Sequence, residues 1–421
     1  MRHARSFLSF LAPPREQPDL FDHSEFTATI SLRPVSYSDH DLFDGGPPTG
    51  LQTRIGLIRP GHPNLALRAA IAVAAGWLPL AIMTALQSTT LHDGSFGSFL
   101  SDFSVHARSL IAVPLLILAE ALCLPRLSAI AEHFREAGFI APQDVPAFRK
   151  AVASTRRLRD SMRLEIAVLA LGIILIVMAE FTVPKHLFPL WHQLRIGQSA
   201  VYSPAGWWHD YVSVWILLAL VLGWLWRLVL WTRFLFLMSR LKLRLIAAHP
   251  DRTGGLKFVG ISVQALSTFA IAISVIVAGT VANRVMNDGA SILSFRYIVP
   301  GYAIALTALL VGPLTVFAWQ LLDVWRRGVF AYGSLARSVG VDMERKWLNH
   351  TTDVTALDTG NFSATTDLYS IVSNVYGMGV MPVSLTNIAV LIVSILLPFV
   401  PVVLLSVSPE VILQKLTGIL L

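Results

Sequence analysis

Charged residues are scarce in this sequence. Asp, Glu, Lys and Arg make up 14% of its 421 residues, whereas they are about a quarter of an ordinary soluble domain. Cysteine is scarcer still: Cys123 is the only one, which excludes a disulfide framework and a cysteine-rich metal site. The signatures H-E-x-x-H and G-x-x-x-x-G-K-[ST] are missing, and no internal repeat is visible. Enzymatic activity therefore has no positive sign in the sequence.

Hydrophobic residues, in contrast, are abundant: they make up 54% of the sequence. A single globular core stops growing near about 250–300 residues, so lipid must cover the remaining apolar surface. A membrane span needs roughly 20 apolar residues, because each helical residue rises ~1.5 Å across a hydrocarbon core ~30 Å thick. Seven stretches qualify: 65–86, 109–130, 164–183, 212–238, 258–282, 298–322 and 383–407. The sequence thus predicts an all-α fold, a polytopic transmembrane helical bundle within residues 61–407.

Lys and Arg residues alternate strictly between the two sides of this bundle. The N-terminal segment and the connections after the second, fourth and sixth stretches hold 24 of them, and the other connections with the C-terminus hold 6. Because positively charged loops stay in the cytoplasm, the N-terminus is predicted to be cytoplasmic. The net charge of +7 then reflects topology and contact with anionic lipid headgroups, with no nucleic acid partner. A homo-oligomer and an unidentified cytoplasmic partner both stay open.

The segments outside the stretches differ in character. Residues 1–60 are rich in Pro, Asp, Ser and Gly and predict a disordered cytoplasmic tail. Residues 131–163 and 324–382 predict cytoplasmic helical insertions. Residues 408–421 are amphipathic and predict a segment at the membrane surface.

Ionisable residues at membrane depth are costly and are therefore functional candidates. Glu120 lies about 16 Å from one end of the second stretch, and Arg227 about 24 Å in from the same side of the fourth. Arg108, just before the second stretch, is the third candidate. Glu120 and Arg227 are close enough in depth to pair if their helices touch. Such a pair either fixes the packing of the helices or belongs to a solute-binding or proton-relay site.

The most distinctive string is HPDRTGGLKFVG, residues 249–260, in a short basic connection. Its glycines permit positive φ, and its backbone N–H groups precede an apolar helix, which predicts an anion-binding turn. The alternative is a tight, rigid hairpin. The candidate residues of this turn are His249, Asp251, Arg252, Gly254, Gly255 and Lys257. The residues on the other side that could bind a transition metal are His92, His106, His186, His192 and His209, with Asp93, Asp102 and Asp210 nearby. Their spacing is irregular, and the alternative is interfacial histidines beside tryptophans, so no metal ion and no cofactor is predicted.

Three strings resemble a family of uncharacterised bacterial multi-pass inner-membrane proteins with an HPDRxGGL loop motif. They are LGWLWRLVLWTRFLFLMSRLKLRLIAAHPDRTGGLKFVG, HARSLIAVPLLILAE and LYSIVSNVYGMGVMPVS. In that family the glycine pair is often followed by Leu-Gly-Phe, whereas Lys257 replaces the glycine here. The resemblance implies a bacterial inner-membrane location and the same helical topology, and it implies no activity.

These patterns favour a channel or transporter for a small polar or anionic solute. The alternative is a membrane-embedded sensor or scaffold that recruits a cytoplasmic partner through the basic connections. A continuous polar cavity to Glu120 and Arg227 favours transport, and tight packing around them favours the scaffold.

Overall fold

Seven helices in the described part of the chain are long and apolar enough to cross a membrane. The structure, a computed structural model, describes residues 42–54, 56–58, 64–182, 188–196, 199–347 and 359–406. Each of the seven helices overlaps one of the seven predicted stretches. The predicted all-α transmembrane bundle is therefore confirmed.

Most of the spans are built from several helical segments. In chain order the spans are α2 (Leu65–Gly76) with α3 (Leu78–Leu91); α5 (Phe103–His106), a π-helical turn (Ala107–Ala112) and α6 (Val113–Glu136); α8 (Met162–Thr182); α9 (Pro204–Trp208), a π-helical turn (His209–Val214) and α10 (Trp215–Ser239); a 3₁₀ turn (Leu256–Gly260), α11 (Ile261–Ala265) and α12 (Ser267–Met286); α13 (Ile298–Val311), a 3₁₀ turn (Gly312–Phe317) and α14 (Ala318–Trp347); and α16 (Leu385–Leu396), a 3₁₀ turn (Leu397–Phe399) and α17 (Val400–Ser406).

Shorter elements connect the spans. They are α1 (Thr49–Arg54), α4 (Ser95–Leu100), α7 (Val145–Arg159), α15 (Thr359–Tyr376), 3₁₀ turns at Pro142–Asp144, Leu190–His192 and Ile292–Phe295, and an antiparallel hairpin of β1 (Gln193–Ile196) and β2 (Ser199–Tyr202).

Backbone contacts sort the connections into two ends of the bundle. At one end Ile140 and Leu243 form an isolated antiparallel β-bridge, which joins the connections after the second and fourth spans. The Gly379 N–H donates to the Arg252 carbonyl at 2.8 Å, which joins the connections after the fourth and sixth spans. We call this the basic end. At the opposite end, the Asn287 side chain donates to the Ser101 carbonyl at 2.7 Å, which joins the connections after the first and fifth spans. This grouping is the one that the alternation of basic residues predicted.

The residues before the first span pack against the bundle at the basic end. Phe43 is 1% exposed, and its ring lies edge-on to those of Trp231 and Phe234, with centroids 5.4 and 6.0 Å away. We call residues 42–54, which end in α1, the strap. Although the strap belongs to the segment predicted to be a disordered tail, buried aromatic contacts join it to the bundle. Residues 1–41 lie outside the described residues.

The two predicted helical insertions have helices where the sequence placed them. α6 continues to Glu136 and is followed by α7, which packs on α10; α15 packs on α14, which continues the sixth span. The predicted surface segment 408–421 lies outside the described residues.

Candidate functional site

Three charged side chains meet inside the bundle. A carboxylate oxygen of Glu120, on α6, lies 3.0 Å from a guanidinium nitrogen of Arg227, on α10, and the other lies 2.5 Å from Arg68, on α2. The exposed fractions of Glu120, Arg227 and Arg68 are 6%, 2% and 4%. We call these three residues the charge cluster. Glu120 and Arg227, two of the residues predicted from the sequence, are thus in contact.

Helical spacing explains why Glu120 and Arg227 meet. The indole N–H of Trp224 donates to the Leu116 carbonyl at 3.0 Å, so α10 and α6 touch at this level. Glu120 follows Leu116 by four residues and Arg227 follows Trp224 by three, which places each charge on the same helix face as the contact before it. The two side chains therefore project into one space.

The strap closes the charge cluster on the side of the basic end. Arg227 donates to the Thr49 hydroxyl at 2.7 Å, and Arg68 donates to the Gln52 side-chain carbonyl at 2.8 Å. Gly223 makes the close approach possible, because a Cβ there would overlap the Pro47 carbonyl oxygen. The strap therefore supplies neutral acceptors to both arginines.

The charges of the cluster do not balance. Within the cluster two guanidinium groups face one carboxylate, which leaves one net positive charge on these three side chains. The buried carboxylate of Glu165 lies nearby, where it accepts from the Leu51 N–H of the strap at 2.7 Å. The Nε and Nη1 atoms of Arg227 have no hydrogen-bond acceptor among the described residues, and the Trp224 ring, 5.3 Å away, offers only its π-face. Buried donors in proteins are nearly always paired. The cluster can therefore accept a further negatively charged or acceptor group.

Arg108, the third predicted deep charge, lies elsewhere. It precedes Glu120 by twelve residues on the same span, or ~18 Å of helix, and its side chain donates to the Ser104 carbonyl at 3.0 Å. Arg108 lies in the π-helical turn of the second span and lines a small cavity with His209, from the π-helical turn of the fourth. π-Helical turns inside α-helices are frequent at functional sites. Arg108 thus belongs to a second polar layer at the opposite end.

An apolar layer separates the two polar layers. Leu116 and Ile117 of α6 are fully or almost fully buried, as are Leu220 and Trp224 of α10. Water does not pass readily through such close-packed side chains. The charge cluster is thus covered by the strap on one side and by apolar residues on the other.

The predicted anion-binding turn holds an acid of its own. The Asp251 carboxylate accepts from the backbone N–H groups of Thr253, Gly255 and Lys257 at 2.8, 3.0 and 3.0 Å. Gly254 and Gly255 have φ values of 65° and 97°, as the sequence predicted. An external anion would have to displace this carboxylate. The turn therefore has the geometry of the rigid hairpin, with its backbone donors paired to Asp251, and an anion site at residues 249–257 stays a prediction.

The other candidates of this turn hold it to its neighbours. The His249 Nδ1 accepts from the Asp251 N–H at 3.2 Å. Arg252 has a φ of 56° and donates to the Asn374 side-chain carbonyl at 3.1 Å. The Lys257 side chain is exposed. The turn is thus attached to α15 by Arg252.

We expect Asp251→Asn to lower the melting temperature at pH 7, at a cost of roughly 1–3 kcal/mol, because three backbone donors lose a charged acceptor. Partial burial raises the pKa of Asp251, but the N–H groups of Thr253, Lys257 and Gly255 outweigh it and hold this pKa below its ordinary value. Because folding lowers this pKa, the ionised Asp251 carboxylate stabilises the folded protein at pH values above the pKa that Asp251 has in the unfolded chain. This contribution is lost as the pH falls through the pKa that Asp251 has in the folded protein. The melting temperatures of wild type and variant should therefore converge below about pH 4.

Lys257→Gln, in the same turn, is the control, and it should change stability by less than about 0.5 kcal/mol because the side chain is exposed. A difference between wild type and Asp251→Asn that persists unchanged down to about pH 2 would contradict the assigned role of the Asp251 charge.

A groove of about 480 Å³ lies beside the strap, between α6 and α7. Its floor is apolar, with Leu42, Phe148 and Val152, and its rim carries charged side chains. The charged residues that line it are Glu132, Arg135, Arg149 and Arg156.

Sequence reasoning missed Arg68 and the strap as parts of the site. Arg68 carried a signal, since it is a cation inside an apolar stretch. The strap carried none, because its Gly and Pro residues are typical of a disordered segment. The chain matches no protein-family model, no curated protein and no solved structure, so its chemistry is argued from its own residues.

Proposed function

We propose that the protein is a channel or transporter for a small anion, with the charge cluster as its binding site. The observation that carries this proposal is the excess positive charge of the cluster, in which two donors of Arg227 have no acceptor within the described part of the chain. An anion would neutralise the excess charge and accept those hydrogen bonds. A cluster that only fixed helix packing would need no second arginine.

The strap is the gate in this proposal. Its hydroxyl and amide acceptors at Thr49 and Gln52 hold the two guanidinium groups while the site is closed. When the strap leaves, a small anion can reach Arg227 and Arg68 from the basic end. Passage to the opposite end requires α6 and α10 to separate at their apolar layer. The described conformation is the closed one.

Anion flux into liposomes that contain the purified protein tests this proposal. Chloride, phosphate and small carboxylates are offered, and uptake is compared with empty liposomes. We expect Arg227→Gln and Arg68→Gln to reduce uptake of the transported anion about tenfold or more, since each loses a charge-assisted hydrogen bond. Arg240→Gln, on an exposed position just after α10, should leave uptake unchanged.

A strap variant distinguishes transport from packing. Gly223→Leu places side-chain atoms where the Pro47 carbonyl lies, so the strap should detach and uptake should rise. If no anion enters faster than into empty liposomes, even with Gly223→Leu correctly inserted, the transport proposal fails.

We also propose that the protein lies in a bacterial inner membrane with its basic end in the cytoplasm. The 24-to-6 distribution of Lys and Arg supports this orientation. Membership of the family with the HPDRxGGL motif is part of the same proposal, which rests on residues 249–256.

Cysteine labelling tests the orientation. In a Cys123→Ala background, Leu293→Cys should react with a membrane-impermeant maleimide added to intact cells, because Leu293 is 68% exposed at the opposite end. Lys257→Cys, which is exposed at the basic end, should react only after the membrane is permeabilised. Labelling of Lys257→Cys in intact cells would overturn the orientation.

The second candidate function is a membrane-embedded sensor or scaffold. Two observations favour it. The charge cluster is tightly packed, with Leu116 and Trp224 almost fully buried beside it, and such packing is what a scaffold was expected to show. The groove beside the strap also suits an amphipathic partner segment, because it has an apolar floor and a charged rim. Well-folded protein without anion flux would leave this as the better proposal.

A further inference from the structure

We propose that His192, His209 and Asp210 bind a divalent transition-metal ion at the opposite end of the bundle. One carboxylate oxygen of Asp210 lies 3.2 Å from His192 Nε2 and 2.8 Å from His209 Nδ1. All three ligand atoms lie within 4.8 Å of one another. Ligand atoms of a tetrahedral zinc ion, with bonds of roughly 2.0–2.1 Å, are about 3.4 Å apart. Small side-chain movements therefore bring the three atoms to ligand spacing.

The types of ligand select the class of metal. Two imidazoles and one carboxylate suit zinc and neighbouring first-row ions, whereas calcium and magnesium prefer a shell of oxygen atoms. Three protein ligands leave a fourth position for water or another small ligand, as in open zinc sites. The site proposed is thus an open site for Zn²⁺ or a similar ion, separate from the anion site at the charge cluster.

The local backbone fixes the two imidazoles. The His192 carbonyl accepts from the Ser203 N–H at 3.1 Å, and the Ser203 side chain caps α9 by accepting from the Gly206 N–H at 2.9 Å. Gly206 packs so closely on the His192 carbonyl that a Cβ would overlap it. His209 and Asp210 begin the π-helical turn that follows α9. One capped turn therefore positions all three ligands.

A second observation concerns the buried His192 ring, of which 2% is exposed. Its Nδ1 atom has no hydrogen-bond partner among the described residues. With both histidines neutral, each donates one N–H to Asp210. On metal binding the proton of His192 moves from Nε2 to Nδ1, and that of His209 moves from Nδ1 to Nε2, so each coordinating nitrogen gains a free lone pair. The new Nδ1–H of His192 has no acceptor among the described residues, so the metal-bound form needs a water molecule or other acceptor there. The ion then replaces these two N–H groups as the positive partner of the carboxylate.

The surrounding charges tolerate a cation. Arg108 is a positive group close to the site, where it lines a small cavity with His209. Asp102 caps α5 and accepts from the Trp191 indole N–H at 3.1 Å. The two carboxylates outweigh the single guanidinium before an ion arrives. A divalent cation therefore enters a layer with net negative charge.

Zinc titration of the full-length protein tests the site. The protein is purified in detergent without a histidine tag, stripped with a chelator and titrated with Zn²⁺ by calorimetry. We expect one ion per chain, and at least tenfold weaker binding for His192→Ala, His209→Ala and Asp210→Asn. His92→Ala, at an exposed position of the same end, is the matched control and should bind as wild type does. Co²⁺ should give the visible absorption of a tetrahedral site in wild type and lose it in His209→Ala.

Circular dichroism of each variant shows whether it is folded, and a variant that is not folded is replaced by its Gln counterpart. Wild-type protein that binds no Zn²⁺, or binds it equally tightly when both histidines are replaced, overturns the proposal. Flux through the charge cluster is measured separately, so failure of the metal site leaves the transport proposal standing.

Discussion

Glu120→Gln should be the most damaging single change at the charge cluster, at a cost of roughly 3–5 kcal/mol. The variant leaves two buried guanidinium groups with no counter-charge. Arg68→Gln or Arg227→Gln leaves a neutral pair instead, so each should cost less, about 1.5–3 kcal/mol for the lost charge-assisted hydrogen bond. The three variants would be compared by reversible unfolding in mixed detergent micelles.

Combinations make this prediction sharper. Glu120→Gln with Arg227→Gln should cost less than the sum of the single changes, because only one uncompensated charge remains. Replacing Arg68 as well should recover more stability. Glu132→Gln, which breaks an exposed pair with Arg135 on the same helix, is the control and should cost less than about 1 kcal/mol. Strictly additive losses would contradict a three-membered cluster.

Phe43→Ala should release the strap. Removing a buried phenylalanine costs roughly 3–5 kcal/mol, and the loss here falls on a terminal segment rather than on the whole bundle. Hydrogen exchange of the strap's amides should therefore accelerate about a hundredfold or more, while exchange within α6 and α10 should stay near wild type. Mass spectrometry of peptides from residues 42–54, from α6 and from α10 measures both.

A matched control for this variant is Phe330→Ala on α14, where 79% of the side chain is exposed. It should leave exchange in the strap unchanged. A second measurement uses Thr49→Cys in the Cys123→Ala background, which should react with a maleimide faster when Phe43 is also replaced. Unchanged exchange and reactivity in Phe43→Ala would mean that the aromatic contact does not hold the strap.

The spans could be predicted because their signal is one-dimensional. A run of apolar residues of membrane length needs only the cost of unsatisfied backbone groups in lipid to become a helix. The contact between Glu120 and Arg227 was partly predictable, because helical rise gives depth along the membrane. Depth does not say which helices touch. The contact of Arg68 with Glu120 could therefore not be predicted, because it depends on α2 lying beside α6.

The turn at residues 249–257 illustrates the opposite limit. The positive φ of Gly254 and Gly255 could be predicted from the sequence by steric rules alone. Which group accepts the backbone N–H donors depends on one side-chain rotamer, that of Asp251. Composition does not determine that rotamer. The same local backbone can therefore bind an external anion or, as here, its own carboxylate.

The strap's position imposes an order on assembly. Its residues precede the seven spans in the chain. Gln52 contacts Arg68 of the first span, but Ser128, Arg159, Glu165 and Arg227, its other partners, lie much later. Docking of the strap can therefore be completed only after the fourth span has been inserted. During that interval Arg68 has entered or approached the membrane without Glu120, and Glu120 without Arg227. Complete docking of the strap is thus a late step in biogenesis, and in a chain truncated before the fourth span the strap should be more accessible to protease.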